Sequence, residues 1–263
     1  VSTRDEPVPG WIDNVYGPTG VFVGAGVGFI KTLHCDASRI ANIVPVDMAV
    51  NALIASAWEV GNKTRPENGD DIPIYNYVSS VQKPITWGEF MEKGSRHGIE
   101  VPTVRAGIRD WSGSARITHH SVLDLECGKS VHVNMPVQME NYGPFRIRVP
   151  GLVKIYKKIN KFSDVISYFS TRDWKFTNDN VQLLWKKMDK GDRNLFDFNM
   201  DELDWEQYFH GYVRGVRIYL IKDELSTIPQ AKIKYQRFVW IHQIMKYFLM
   251  FLIIRIVWSV GIT

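Results

Sequence analysis

The stretch VPVDMAVNALIASAW, Val44 to Trp58, reads as an extended entry into an amphipathic helix. Pro45 pushes Val44 out of the helical region of backbone space. Asp47 stands where an N-cap belongs, with a carboxylate able to accept from the first free N–H groups. Val50, Leu53, Ile54 and Ala57 recur at helical spacing, which predicts one apolar face turned toward a core. Ala49, Ala52, Ala55 and Ala57 are small enough to admit a close neighbour.

Upstream of that helix, Pro7, Pro9 and Gly10 predict a loop, Gly17-Pro18-Thr19-Gly20 a turn, and Val21-Phe22-Val23 a short strand. Gly24-Ala25-Gly26-Val27-Gly28-Phe29 then invites a dinucleotide-binding reading. The fingerprint fails at its sixth position, which is Phe29, and no acidic residue closes a second strand about twenty residues on. A tight glycine loop is the expectation there. Downstream, 61–71 is a polar loop and Ile72 to Ser79 a predicted strand. Thr86 and Glu89 form a capping-box pair that opens a helix from Trp87 to His97, with Gly98 as its stop.

Residues 107–150 break the pattern: no apolar period is sustained and turn formers are frequent. The interval reads either as a misread exon or retained intron, or as a lineage-specific insertion. It holds His119, His120, Cys127 and His132, but their spacing fits no familiar metal motif, so they read as loop residues and no metal is assigned. From residue 151 to 236 the pattern is helical. Leu152 to Tyr168 is a basic amphipathic helix, either a solvated lysine face or one attracted to anionic lipid. Val181, Leu184, Trp185 and Met188 form a second stripe. Asp204 is placed to cap a third helix, whose stripe is Trp205, Tyr208, Phe209, Tyr212, Val213, Val216, Tyr219 and Leu220. Residues 238–260 are long and apolar enough to suggest a terminal membrane helix, interrupted by Lys246 and Arg255.

The chain has 263 residues, a net charge of +4 and two cysteines, Cys35 and Cys127. The mild charge argues against nucleic acid as a partner. Two cysteines make no disulfide framework. Val1 is not Met and no signal peptide follows it, which predicts a fragment.

Several words of this sequence resemble the fatty acyl-CoA reductases, in their insect branch. They are EPVPGWIDN from Glu6, GPTG from Gly17, VGAG from Val23, VPVD from Val44, YNYVSS from Tyr75 and ITW from Ile85. The helical module resembles that family's C-terminal "sterile" domain through YFST at Tyr168, W-x-F at Trp174, NDNV at Asn178, LW at Leu184 and LDWEQYF at Leu203. The family is strongly apolar where residues 107–150 are not.

The resemblance implies an α/β fragment over residues 1–106, the substrate-side part of an extended Rossmann-type reductase. The atypical 107–150 follows, then an all-α domain over 151–236 and the membrane helix. It implies NADPH-dependent reduction of long-chain fatty acyl-CoA to fatty alcohol, with membrane lipid as a partner and the endoplasmic reticulum or peroxisome as the site. The superfamily's Tyr-x-x-x-Lys pair is missing, since no tyrosine has a lysine four residues on. Catalytic and cofactor-binding residues are therefore expected upstream of Val1, and none is assigned. Trp11, Phe29 and the start of the central helix, Asp47, are the candidates for lining an acyl channel. The alternatives are a non-catalytic, membrane-tethered lipid-binding or partner module, or another extended reductase acting on sterols or sugars.

Overall fold

Residues 1–27, 30, 34–62, 72–105 and 150–261 are described by the computed structural model of the chain. Pro18, with a φ already suited to a first helical position, opens α1, Pro18–Gly26. The predicted strand at Val21–Val23 and the start of the predicted glycine loop, Gly24 to Gly26, are thus one helix. Phe22 decides this: it is buried against Phe90, ring centroids 6.4 Å apart, and against Tyr212 at 5.3 Å.

The central helix, α2, runs Val46–Asn62, but its inward face is not the predicted one. Met48, Ala52, Ala55 and Glu59 are buried, while Val50, Leu53 and Ile54 stay exposed. The partner is α5, Asp179–Lys187. Alanines let it come close, and Lys187 Nζ pairs with the buried Glu59 at 2.5 Å. Asp47 lies inside α2 rather than at its cap. Its carboxylate accepts from the backbone N–H groups of Arg4, Asp5 and Glu6, at 2.9, 2.8 and 3.2 Å.

The predicted capping box is present at Thr86 and Glu89 and opens α3, Trp87–Glu100. Gly98 does not stop it. A helical glycine costs only about 1 kcal/mol against alanine, and the helix ends against Val101. The segment predicted as a strand, Ile72 to Ser79, has no strand to pair with among the described residues. Side chains hold it instead: Asn180 Nδ2 donates to the Ile74 carbonyl, Asn76 Nδ2 to that of Thr177, and the Tyr77 hydroxyl to that of Phe198.

The second half supplies α4, Pro150–Ser170, then α5, and the short α6, Lys190–Leu195. Asp204 caps α7, Trp205–Gly215, as its sequence predicts, accepting from the N–H groups of Glu206 and Gln207. The predicted aromatic stripe is the buried face of α7. Phe90 of α3 meets it edge-on at Phe209, 5.2 Å between centroids. A π-helical turn, Val216–Leu220, extends α7, and α8 runs Ile228–Gly261. One cluster of buried side chains draws on both halves, from Ile12 through Phe90 to Val216.

These elements correct the expected fold class. The described residues are helical and contain no strand beyond an isolated bridge between Ile40 and Thr86. The expected α/β fragment is absent among them because neither predicted strand has a neighbour to complete its ladder. Nor is there a terminal membrane helix: no helix of the described residues is long and apolar enough to cross a membrane. Between Lys246 and Arg255 the uninterrupted apolar run spans only about 12 Å at 1.5 Å per residue, against about 30 Å of hydrocarbon.

Candidate functional site

α1, the segment from Cys35 to Ile43, α3 and the end of α4 enclose a cavity of about 460 Å³. Sites for small ligands fall roughly between 300 and 1,000 Å³. Val21, Ile40, Ile43, Phe90 and Met91 form the wall from the first half of the chain. Ile166, Phe169, Trp174 and Phe176 form the wall from the second.

Local chemistry holds the two walls together. Asp36 N–H donates to the Ser170 carbonyl and Ser170 Oγ to the His34 carbonyl, both at 3.0 Å. Arg39 bridges Asp36, at 2.9 Å, and Asp173. Hydrogen bonds from the Ser38 hydroxyl and N–H, with Arg39 adding its charge, hold the Asp36 carboxyl below its usual range. All three charged groups are well solvated, so these ion pairs set register more than stability. Trp174 Nε1 donates to the Phe169 carbonyl at 3.3 Å, which locks the turn after α4 against the cavity.

The lining is almost wholly hydrocarbon and aromatic. Asn42 and Ser170 are its polar side chains besides the two indoles and the buried Cys35 thiol. Trp87 Nε1 is sealed and has no hydrogen-bond partner among the described residues, its ring edge-on to Phe90 at 6.0 Å. Burial drives the phenols of Tyr77, Tyr208 and Tyr212 upward, away from proton transfer near neutrality. The arrangement can hold an alkyl chain, each buried methylene being worth about 0.8 kcal/mol.

Of the residues predicted from sequence to line a channel, Trp11 and Asp47 stand elsewhere than in the lining of this cavity. Trp11 belongs to the N-terminal loop, its N–H donating to the Val8 carbonyl at 3.1 Å. Asp47 is occupied by the amides of residues 4–6. Phe29 lies outside the described residues, as do His119, His120, Cys127 and His132. Among the described residues no group of three His, Cys, Asp or Glu is placed to hold a metal. Sequence reasoning missed Phe169, Trp174 and Phe176 as a wall. Their signal was present: large aromatics clustered at the last turn of α4, Phe169, and in the segment that follows it, Trp174 and Phe176.

Two family models match, both described as "Male sterility protein": an NAD-binding one over residues 1–53 and a sterile one over residues 138–223. The cavity takes walls from both matched segments. The chain is similar to "Fatty acyl-CoA reductase wat" of Drosophila melanogaster, 39% identical over 92% of this chain and 46% of that protein. It is also similar to "Fatty acyl-CoA reductase 1" of Xenopus laevis, 28% identical over 86% of this chain and 43% of that protein. A human relative, "Fatty acyl-CoA reductase 2", is 27% identical over 92% of this chain and 45% of that protein. The chain therefore spans about half the length of the curated relatives it matches.

The NAD-binding model suggests a nicotinamide cofactor for the full-length family. The described part of residues 1–53 does not fit one. A cradle needs a strand, a glycine turn and a helix N-terminus aimed at the pyrophosphate. Here Gly24 and Gly26 lie inside the last turns of α1, and a Cβ on Gly24 would meet the Ile30 side chain rather than open space. Two models of one description cover more than half of this sequence, and the relatives named above align along most of it; the chain belongs to the male sterility protein family, that of the fatty acyl-CoA reductases.

Proposed function

We propose that this chain is the acyl-binding part of a reductase that converts long-chain fatty acyl-CoA to fatty alcohol with NADPH. The observation that carries this is the apolar cavity walled by both matched segments. Its side chains bind the alkyl tail, exclude water from it and fix its direction. NADPH supplies hydride in this reading, and the described residues form no site for it. The relatives' printed names, all of fatty acyl-CoA reductases, support the substrate class.

The test enlarges Ile166, a wall residue of α4. In the full-length protein, Ile166→Trp fills the space of about two methylenes, worth about 1.6 kcal/mol at 0.8 each. The ratio of kcat/KM for long over shorter acyl-CoA then falls about tenfold or more. An unchanged chain-length profile in a folded, active variant would remove the cavity from the reaction.

Lipid contact at an endoplasmic reticulum or peroxisomal membrane belongs to the same proposal. α8 supports it by holding Trp240, Phe248, Phe251 and Trp258 exposed, beside Lys246 and Arg255. Such a helix, with apolar and basic side chains in solvent, favours adsorption to anionic vesicles. Flotation with phosphatidylserine-containing liposomes measures it. Phe248→Ser with Phe251→Ser is expected to reduce the floated fraction severalfold, and an unaltered fraction would refute contact through α8.

A further inference from the structure

We infer that Asn42 is the polar anchor of the cavity. Its side-chain amide donates a hydrogen bond to an oxygen at the head of a bound long alkyl chain. The inference rests on the acyl-cavity reading above and adds to it a fixed end and a donor.

Among the other polar side chains of the lining, Ser170 and Trp174 are engaged, and the Trp87 indole N–H, without a partner among the described residues, is buried out of a ligand's reach. Ser170 Oγ donates to the His34 carbonyl and Trp174 Nε1 to that of Phe169. Asn42 differs. Its Oδ1 accepts from the Ser80 N–H at 3.2 Å. A backbone N–H can only donate, so this bond fixes which end of the amide is oxygen. The Nδ2 end is left with two hydrogens and no acceptor among the described residues.

The amide is also rigid. Ala41 and Ile43, on either side, are buried at 0% and 5% exposure. Ala41 N–H donates to the Ile85 carbonyl at 2.8 Å. A donor held in place beforehand loses little freedom on binding. In an apolar surrounding it discriminates strongly for a ligand that accepts from it. Two ligands offer that oxygen: the thioester carbonyl of a fatty acyl-CoA and the hydroxyl of a fatty alcohol.

Equilibrium binding to the full-length protein separates the cases. Palmitoyl-CoA is compared with S-hexadecyl-CoA, which keeps the chain and the CoA but lacks the carbonyl oxygen. Hexadecanol, read by displacement of a fluorescent alkyl probe, tests the hydroxyl. The wild-type protein is expected to bind palmitoyl-CoA about five- to tenfold more tightly than the thioether. Asn42→Leu removes the difference and leaves thioether affinity within about twofold. Asn42→Asp, nearly the same shape and still able to accept from Ser80, loses the donor and should also lose the preference.

A weakening of hexadecanol in both variants, with palmitoyl-CoA unmoved, assigns the bond to the alcohol; the reverse assigns it to the thioester. If both CoA ligands bind equally to the wild type and hexadecanol is indifferent to both variants, the anchor is wrong and the cavity reading stands. If none of the ligands binds, or Ile166→Trp leaves every affinity unchanged, the cavity reading falls and takes the anchor with it.

Discussion

Replacing Arg217 by methionine lowers the free energy of unfolding by about 3–5 kcal/mol, the cost of stranding a buried charge. Arg217 and Asp223 have side chains only 2% and 3% exposed, and their Nη2 and Oδ2 atoms are 3.2 Å apart. The guanidinium spends its other hydrogens on carbonyls and on Thr227 Oγ1, which accepts from Nη2 at 2.6 Å. Nε donates to the carbonyl of Asp223, Nη1 to those of Val101 and Pro102, and Nη2 to that of Glu224. Asp223 in turn accepts from Thr103 Oγ1, the Val104 N–H and Thr227 Oγ1. One pair of charges thus ties the exit of α3, the π-helical end of α7 and the entry to α8.

Methionine fills similar volume but leaves the carboxylate without its cation. Lysine should rescue little, because a single ammonium cannot reproduce the fork of donors. Arg217→Met with Asp223→Leu should recover much of the loss, since removing both charges removes the stranded one. Urea denaturation reads all three.

The pH dependence has a definite sign. Burial alone would raise the Asp223 carboxyl, but hydrogen bonds from Thr103, Thr227 and Val104, with the Arg217 charge, outweigh it and hold its pKa below the ordinary value. A folded pKa below the unfolded one contributes stability above the unfolded pKa, and that stability is lost as pH falls through the folded one. The gap between wild type and Arg217→Met should therefore narrow in acid, below the ordinary aspartate range. A gap that stays constant there would place the loss in packing rather than in charge.

The parts of this fold that could be read in advance are those held by near neighbours. The Thr86–Glu89 box and the Asp204 cap are contacts within three residues, and the α7 stripe repeats at helical spacing. The parts that could not be read depend on who the neighbour is. Val21-Phe22-Val23 carries strand-favouring side chains, yet Phe22 finds Phe90 and Tyr212 across the core and the segment is helical. In α2 the most apolar positions, Val50, Leu53 and Ile54, face outward. The inward face was chosen by fit to α5 and by the Lys187–Glu59 pair, which apolarity does not report. The cavity was hidden for the same reason. Ile40 and Trp174 line one space but stand far apart in the chain, and no local period joins them.

Alanine at Gly215 tests whether the N-terminal loop is a fixed part of that architecture. By local propensity the change should help, since Gly215 has helical dihedrals, φ −61 and ψ −47, and alanine gains about 1 kcal/mol in a helix. Its Cβ, however, would overlap the carbonyl oxygen of Gly10. The obstacle is backbone, so no rotamer relieves it. Gly10 is itself held at φ +82, where a side chain is strained, and a Cβ there would strike the Gly211 carbonyl.

The loop has little room to retreat. Thr3 N–H donates to the Trp11 carbonyl at 3.0 Å, Gly10 N–H to that of Thr3 at 3.1 Å, and the Tyr208 hydroxyl to that of Ser2 at 3.1 Å. Overpacking of this kind costs about 1–3 kcal/mol and occasionally more. With backbone on both sides the upper end applies, and a net loss of about 2 kcal/mol survives the propensity gain. Gly98→Ala is the control: it lies in α3 with nothing within 4 Å of its would-be Cβ, and it should gain about 0.5–1 kcal/mol.

The same pair of variants reaches function, because the loop leads into Gly17 and Pro18 at the cavity's edge. Gly215→Ala should weaken palmitoyl-CoA binding by the full-length protein, while Gly98→Ala leaves it unchanged. A Gly215→Ala protein as stable as its parent would mean that the crossing yields freely. The loop would then be a loose cover over α7, and the cavity edge it leads into would not be held by it.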